Sequence, residues 1–110
     1  MPNFSKNEIV LVRYPFSDLT NSKVRPAVIV NAPHVSKDLF VVALTSKTQS
    51  LLSGEFVLTE WQSVGLNVET AVKRGVFTIH EKLIIKTVGA LAAADMESLD
   101  KSLREWFDLP

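Results

Sequence analysis

The residues best suited to chemistry in this chain are cations and hydroxyls: Lys23 and Arg25 in one polar stretch, then Thr45, Ser46 and Lys47 in another. Proline fixes its own φ and biases the preceding residue toward an extended conformation, so Arg25, ahead of Pro26, is held where a loop re-enters a strand. A held guanidinium suits the grip on an anion. An arginine that neutralises a phosphate, beside a hydroxyl that donates to its oxygen, is a transition-state grip for phosphodiester cleavage. The plainer alternatives are a rim arginine in a surface ion pair and a Thr-Ser turn bonded to its own backbone.

Other chemistries have less to stand on. There is no cysteine, which excludes thiol catalysis, cysteine-bound zinc and disulfides. His34 and His80 lie far apart, with no His-x-x-x-His pair and no carboxylate cluster at ligand spacing, so no metal site is expected. A two-histidine acid–base ribonuclease is the alternative that imidazole chemistry offers. Yet His34, in a Pro-His-Val-Ser loop, and His80, at a strand end, read better as surface or satisfied side chains. Neither a nucleophile elbow nor a glycine-rich phosphate cradle occurs.

These residues need elements to hold them. Residues 9–12 and 27–30 are short, apolar and β-branched, which predicts strands, and Asp18, Asn21 and Ser22 between them predict a loop. A third strand is expected over 39–44, ending at the polar run Thr45-Ser46-Lys47. If the second and third strands pair antiparallel, Arg25 and Thr45 come to the same edge. Further strands are expected over 55–59, where Phe56 and Leu58 face the core, and over 70–73, 76–80 and 82–88. A short turn is expected over 61–66. After Gly89 the period changes: Met96, Leu99, Leu103 and Trp106 make one apolar stripe of a helix that Asp95 can cap. The five prolines fall at ends or edges of these elements. Short strands followed by one amphipathic helix predict a mainly β fold, a small antiparallel barrel with the C-terminal helix packed against it.

A chain of 110 residues reads as one domain, residues 1–110, able to bury a core without staples. The N-terminus lacks the features of a signal peptide, and no apolar run is long enough to span a membrane, so a cytoplasmic protein is expected. Net charge is zero, but residues 1–86 carry 10 Lys/Arg against 7 Asp/Glu while residues 87–110 carry 2 against 5. That excess is too small to be a nucleic-acid footprint by itself; such a partner would bind a local patch.

Four stretches carry a resemblance to a known family. They are Glu8-Ile9-Val10-Leu11-Val12-Arg13-Tyr14-Pro15-Phe16-Ser17-Asp18, Lys23-Val24-Arg25-Pro26-Ala27-Val28-Ile29-Val30, Ala43-Leu44-Thr45-Ser46 and Ile85-Lys86-Thr87-Val88-Gly89-Ala90-Leu91 with its helix. In this order, over nearly the whole chain, they resemble the MazF/PemK/Kid toxins of bacterial type II toxin–antitoxin systems. The resemblance implies an SH3-like or CcdB-like barrel, a homodimer, and an endoribonuclease that needs neither metal nor other cofactor. It implies cleavage of single-stranded RNA by attack of the RNA 2′-hydroxyl on the adjacent phosphate, so the substrate supplies the nucleophile. Arg25 and Thr45 match the catalytic positions, and Lys23, Ser46, Lys47 and Arg74 become candidates to bind RNA. A cognate antitoxin, acidic and bulky-apolar, would lie across the first two loops. One departure stands out: where some members carry an arginine and an acidic residue, this chain has Val72 and Arg74. The general base therefore stays open, with Glu69 and Arg74 as substitutes. A non-catalytic module on the same barrel, such as a CcdB-like gyrase-targeting protein or a nucleic-acid-binding domain, is the rival reading.

Overall fold

The computed structural model describes residues 4–14, 23–31 and 35–110; Pro2, Pro15, Asp18, Asn21, Ser22, Pro33 and His34, and with them the loop expected between the first two strands, lie outside the described residues. The described residues form strands β1 (Glu8–Tyr14), β2 (Lys23–Ile29), β3 (Asp38–Thr45), β4 (Ala71–Val72), β5 (Phe77–His80) and β6 (Ile84–Ala90), followed by helix α1 (Ala93–Trp106). All strand pairs are antiparallel, in the order β4-β3-β2-β1-β6, with β5 also pairing β3. The fold is mainly β with one C-terminal helix, as the pattern predicts. The sheet curls without closing, because β4 and β6 stand at opposite ends of the pairing path.

Its middle strands bury both faces. Ile9, Val28, Val42, Leu44 and Val72 pack with Leu99 of α1 on one side, and Val10, Val12, Ala27, Ile29 and Val41 pack with Ile79 on the other. Two-sided burial is why residues 9–12 and 27–30 read as continuous apolar runs rather than alternating ones. Register shifts in the β1–β6 ladder, between Ile9 and Val10 and again between Leu11 and Val12, bend the sheet around the two cores.

The structure corrects several details. Residues 55–59 make a single bridge, Val57 with Ala71, rather than a strand. Leu58 N–H donates to Thr70 O and Val72 N–H to Phe56 O, but the ladder is diverted at both ends. Arg74 N–H goes to Glu55 Oε2 at 2.8 Å, Gly54 O accepts Ser102 Oγ–H from α1 at 2.6 Å, and Val68 O accepts Thr70 Oγ–H. Asp95 is not the helix cap. The helix starts from Ala92, which lends no side-chain bond, because Ala93 and Ala94 are strong helix formers. Buried Asp95 instead accepts the Thr59 N–H at 3.0 and 3.1 Å and the Thr59 hydroxyl at 3.2 Å. Its place in the first turn still complements the helix dipole.

Residues 81–83 form a 3-10 turn that β6 follows, and β6 runs on through Gly89. That glycine is less a stop signal than a contact: a Cβ there would stand 2.3 Å from Val64 O of the turn packed over it. Pro26 lies inside β2, paired with Leu11, rather than at its edge. Among the described residues no helix is long and apolar enough to cross a membrane.

Asp95→Ala is expected to destabilise the fold by about 2 kcal/mol, the scale of hydrogen bonds to a charged group. That is a fall in melting temperature of about 10 °C for a chain of this size. The exposed Glu97→Ala on the same helix should stay within about 0.5 kcal/mol. Thermal unfolding followed by circular dichroism checks both; an unchanged Asp95→Ala would refute the role assigned to the Asp95–Thr59 link.

Candidate functional site

At one end of the strands lies an open groove of about 830 Å³. Val24, Arg25 and Pro26 line one side with Thr45, Ser46 and Lys47; the segment from Gly65 to Val68 lines another, and Lys73, Lys86 and Thr87 complete it. The geometry starts from Pro26. Val30 N–H donates to Phe40 O, so with a period of two the backbone of Val28 and Pro26 also faces β3. Pro26 has no N–H to give, and the pairing of β2 with β3 stops at Ala27 with Ala43. Beyond that pair, Arg25 of β2 and Thr45 of β3 both line the groove.

Arg25 is exposed, and one of its N–H groups donates to the neighbouring Val24 O at 3.0 Å. A guanidinium carries five N–H donors, so most of the fork remains available to an anion. Thr45 Oγ1 accepts the Lys47 N–H at 3.1 Å. The local turn and the chemical role are therefore compatible: with the hydroxyl oxygen engaged as acceptor, its proton is the part left to donate. Tyr14, also in the lining, packs tilted on Phe77 with ring centroids 5.4 Å apart. Burial pushes its phenol up to about 12, so it stays protonated at neutral pH.

The candidates divide. Arg25, Thr45, Ser46 and Lys47 share the groove, whereas Lys23 and Arg74 are exposed but outside its lining. Val72 is fully buried in the core, and Glu69 accepts the Thr48 hydroxyl at 3.0 Å. His80 Nδ1 accepts the Lys82 N–H at 3.0 Å, a capping role for the 3-10 turn. Three polar residues of the groove escape a reading of local patterns: Lys73, Lys86 and Asn67. Lys86 arrives through the pairing of Leu11 with Lys86, and Lys73 through its N–H bond to Ala43 O at 2.9 Å. Both placements depend on long-range register. Among the described residues every charged one in the lining, Arg25, Lys47, Lys73 and Lys86, is a cation. Among the described residues no three His, Asp or Glu side chains gather as a metal cage.

A curved antiparallel sheet backed by one helix, with cations and a hydroxyl lining a groove at one end of the strands, defines a small β protein with a cationic groove. Residues 5–107 match the family described as PemK-like, MazF-like toxin of type II toxin-antitoxin system, and the chain belongs to that family. No curated protein sequence matches it significantly. Among solved structures it is similar to an endoribonuclease from a mycobacterial species, at TM-score 0.77 and 18% identity over 100% of this chain and 96% of the other. It is also similar to a mycobacterial endoribonuclease in complex with its cognate antitoxin, at TM-score 0.73 and 18% identity over 100% and 98%. The Mycobacterium tuberculosis toxin MazF-mt6 aligns at TM-score 0.74 and 23% identity over 94% and 98%.

Behind the groove, Glu55 fastens the strand end that carries Lys73. Its carboxylate accepts the Arg74 N–H and then the Leu52 N–H, and these bonds, helped by the charges of Lys73 and Arg74, hold its pKa below the ordinary 4.5. A depressed folded-state pKa means stability present above the ordinary value and lost as pH falls through the folded one. Glu55→Gln is therefore expected to melt earlier than the wild type at neutral pH, with the gap closing as the pH falls below the ordinary carboxylate range. Melting curves across that range check it, and a gap that is constant with pH would refute it.

Proposed function

We propose that this toxin is an endoribonuclease that cleaves single-stranded RNA across the cationic groove. The observation that carries the reading is that Arg25 and Thr45 line one groove, in which the charged residues among those described are all cations. The likeness to solved endoribonucleases, one of them bound to its antitoxin, supports it.

In the proposed reaction the RNA 2′-oxygen attacks the adjacent phosphorus and its proton leaves. The new P–O bond closes a cyclic phosphate as the bond to the 5′-oxygen breaks, and that oxygen takes up a proton. Charge builds on the non-bridging oxygens, where the Arg25 fork can engage two of them and the Thr45 hydroxyl can donate to one. Lys47, Lys73 and Lys86 neutralise flanking phosphates and favour an ionised 2′-oxygen. Four cations around the scissile bond repel a divalent ion, so the charge stabilisation is assigned to side chains. The same field suits an acidic antitoxin segment, ordered on binding, as the natural block to RNA. The active species is proposed to be a cytoplasmic homodimer, with a second copy lengthening the contact with one strand.

Single-turnover cleavage of a long RNA tests this. Activity should persist in excess EDTA. Folded Arg25→Ala should lose about 100- to 1,000-fold in rate, the usual cost of removing one positioned donor to an oxyanion. Thr45→Ala should lose less, and Arg25→Lys should recover little, because an ammonium lacks the planar fork. Full activity in folded Arg25→Ala would sink the assignment, and loss in EDTA with recovery in magnesium would sink the metal-independent mechanism.

A further inference from the structure

The groove has one wall that charge does not explain. Between Gly65 and Thr70 the chain presents Asn67 to the same space as Arg25 and Thr45, and Val68 beside it is 54% exposed. Among the described residues no hydrogen bond engages the Asn67 amide. The backbone that carries it is fixed on both sides. Leu66 N–H donates to Trp61 O at 3.0 Å, and Gly65, at φ +97°, lies so close to Val88 that a Cβ would come within 2.9 Å of that side chain. On the far side Thr70 Oγ–H donates to Val68 O at 2.8 Å, and Thr70 O accepts the Leu58 N–H.

An uncharged amide adds nothing to the neutralisation of phosphates, which Arg25, Lys47, Lys73 and Lys86 supply. What it offers is a donor beside an acceptor, free of other partners and carried on a backbone fixed before any ligand arrives. Phosphate contacts position a nucleic acid, and base contacts specify it. Single-stranded RNA exposes base edges that a side chain can read, with an apolar surface for the base to rest on. We propose that Asn67 is a specificity residue, reading the edge of one nucleotide near the scissile phosphate while the base lies against Val68. The matching edge carries a donor next to an acceptor, as adenine does with N6 and N7. This deepens the endoribonuclease reading and rests on it.

The test is a random-sequence single-stranded RNA pool cut by wild type, Asn67→Ala, Asn67→Asp and Arg25→Ala, with product ends sequenced. Asn67→Ala should relax base preference at one position near the cut by about 5- to 150-fold, the discrimination a good bidentate contact supplies. Asn67→Asp, which keeps the shape but loses the donors, should shift that position toward bases offering donors. Residual cutting by Arg25→Ala should fall evenly across sequences. A sequence profile unchanged at every position in folded Asn67→Ala overturns the inference, as does a uniform loss of rate with the profile intact. If the wild type cuts nothing, the nuclease reading fails. Selection of a 2′-O-methyl RNA pool by binding then decides Asn67 separately, with relaxed preference in Asn67→Ala supporting it and identical retained sequences overturning it.

Discussion

A single sheet has to cover two cores. That constraint shapes everything else in the fold, because β1, β2 and β3 must be apolar on both faces and the sheet must bend to bring helix α1 to one face and β5 to the other. Bending is concentrated where β1 and β6 slip register, which leaves the straight, fully paired part of the sheet in the middle. Chemistry cannot sit in that middle, since a charged group there would lose its hydration with no partner to replace it. The strand ends, where pairing lapses, are the places this architecture leaves for polar work.

The groove is one such lapse. A strand residue without an N–H normally weakens a sheet, and proline is usually kept to edges for that reason. Pro26 sits in β2 at a point where β1 is still paired but the ladder to β3 has ended, so one missing donor separates two strands without loosening the platform. Across the groove, the segment around Gly54 to Thr59 behaves in a complementary way. Its ladder with residues 70–74 is cut short because side chains of α1 and Glu55 take the backbone groups that further pairing would use. The helix thereby holds the wall that leads to Lys73 and Asn67. Its distance from the groove does not make it a spectator.

How much of this was readable in the sequence follows from how local each cause is. Strands at 9–12, 27–30 and 39–44 were legible because two-sided burial writes an unbroken β-branched run, and the helix because Leu99 and Leu103 keep their spacing. Antiparallel pairing of two such runs was enough to expect Arg25 near Thr45. The bridge at Val57 was misread as a strand because its alternation is genuine, while the groups that end it, Asp95 and Ser102, lie far along the chain. Asp95 itself has the composition of a cap, and only the tertiary position of Thr59 shows that it serves another backbone. Lys73, Lys86 and Asn67 enter the groove through register and through glycine contacts such as Gly65 against Val88, none of which leaves a local signature.

The charge distribution carries the same lesson into function. Taken over the whole chain the charges cancel, which would argue against a polyanion partner if charge acted as an average. It does not, because exposed charges are screened beyond roughly 8 Å at physiological ionic strength, so a bound phosphate feels its neighbours and little else. Several carboxylates here are engaged away from the groove: Asp95 on Thr59, Glu55 on Arg74 and Leu52, Asp100 with Arg104 on the helix. Engaged acids stabilise the rest of the molecule, and among the described residues no acid joins the cations in the groove lining. A neutral protein can thus present a cationic field at one face, and the screening length confines that field to its neighbourhood.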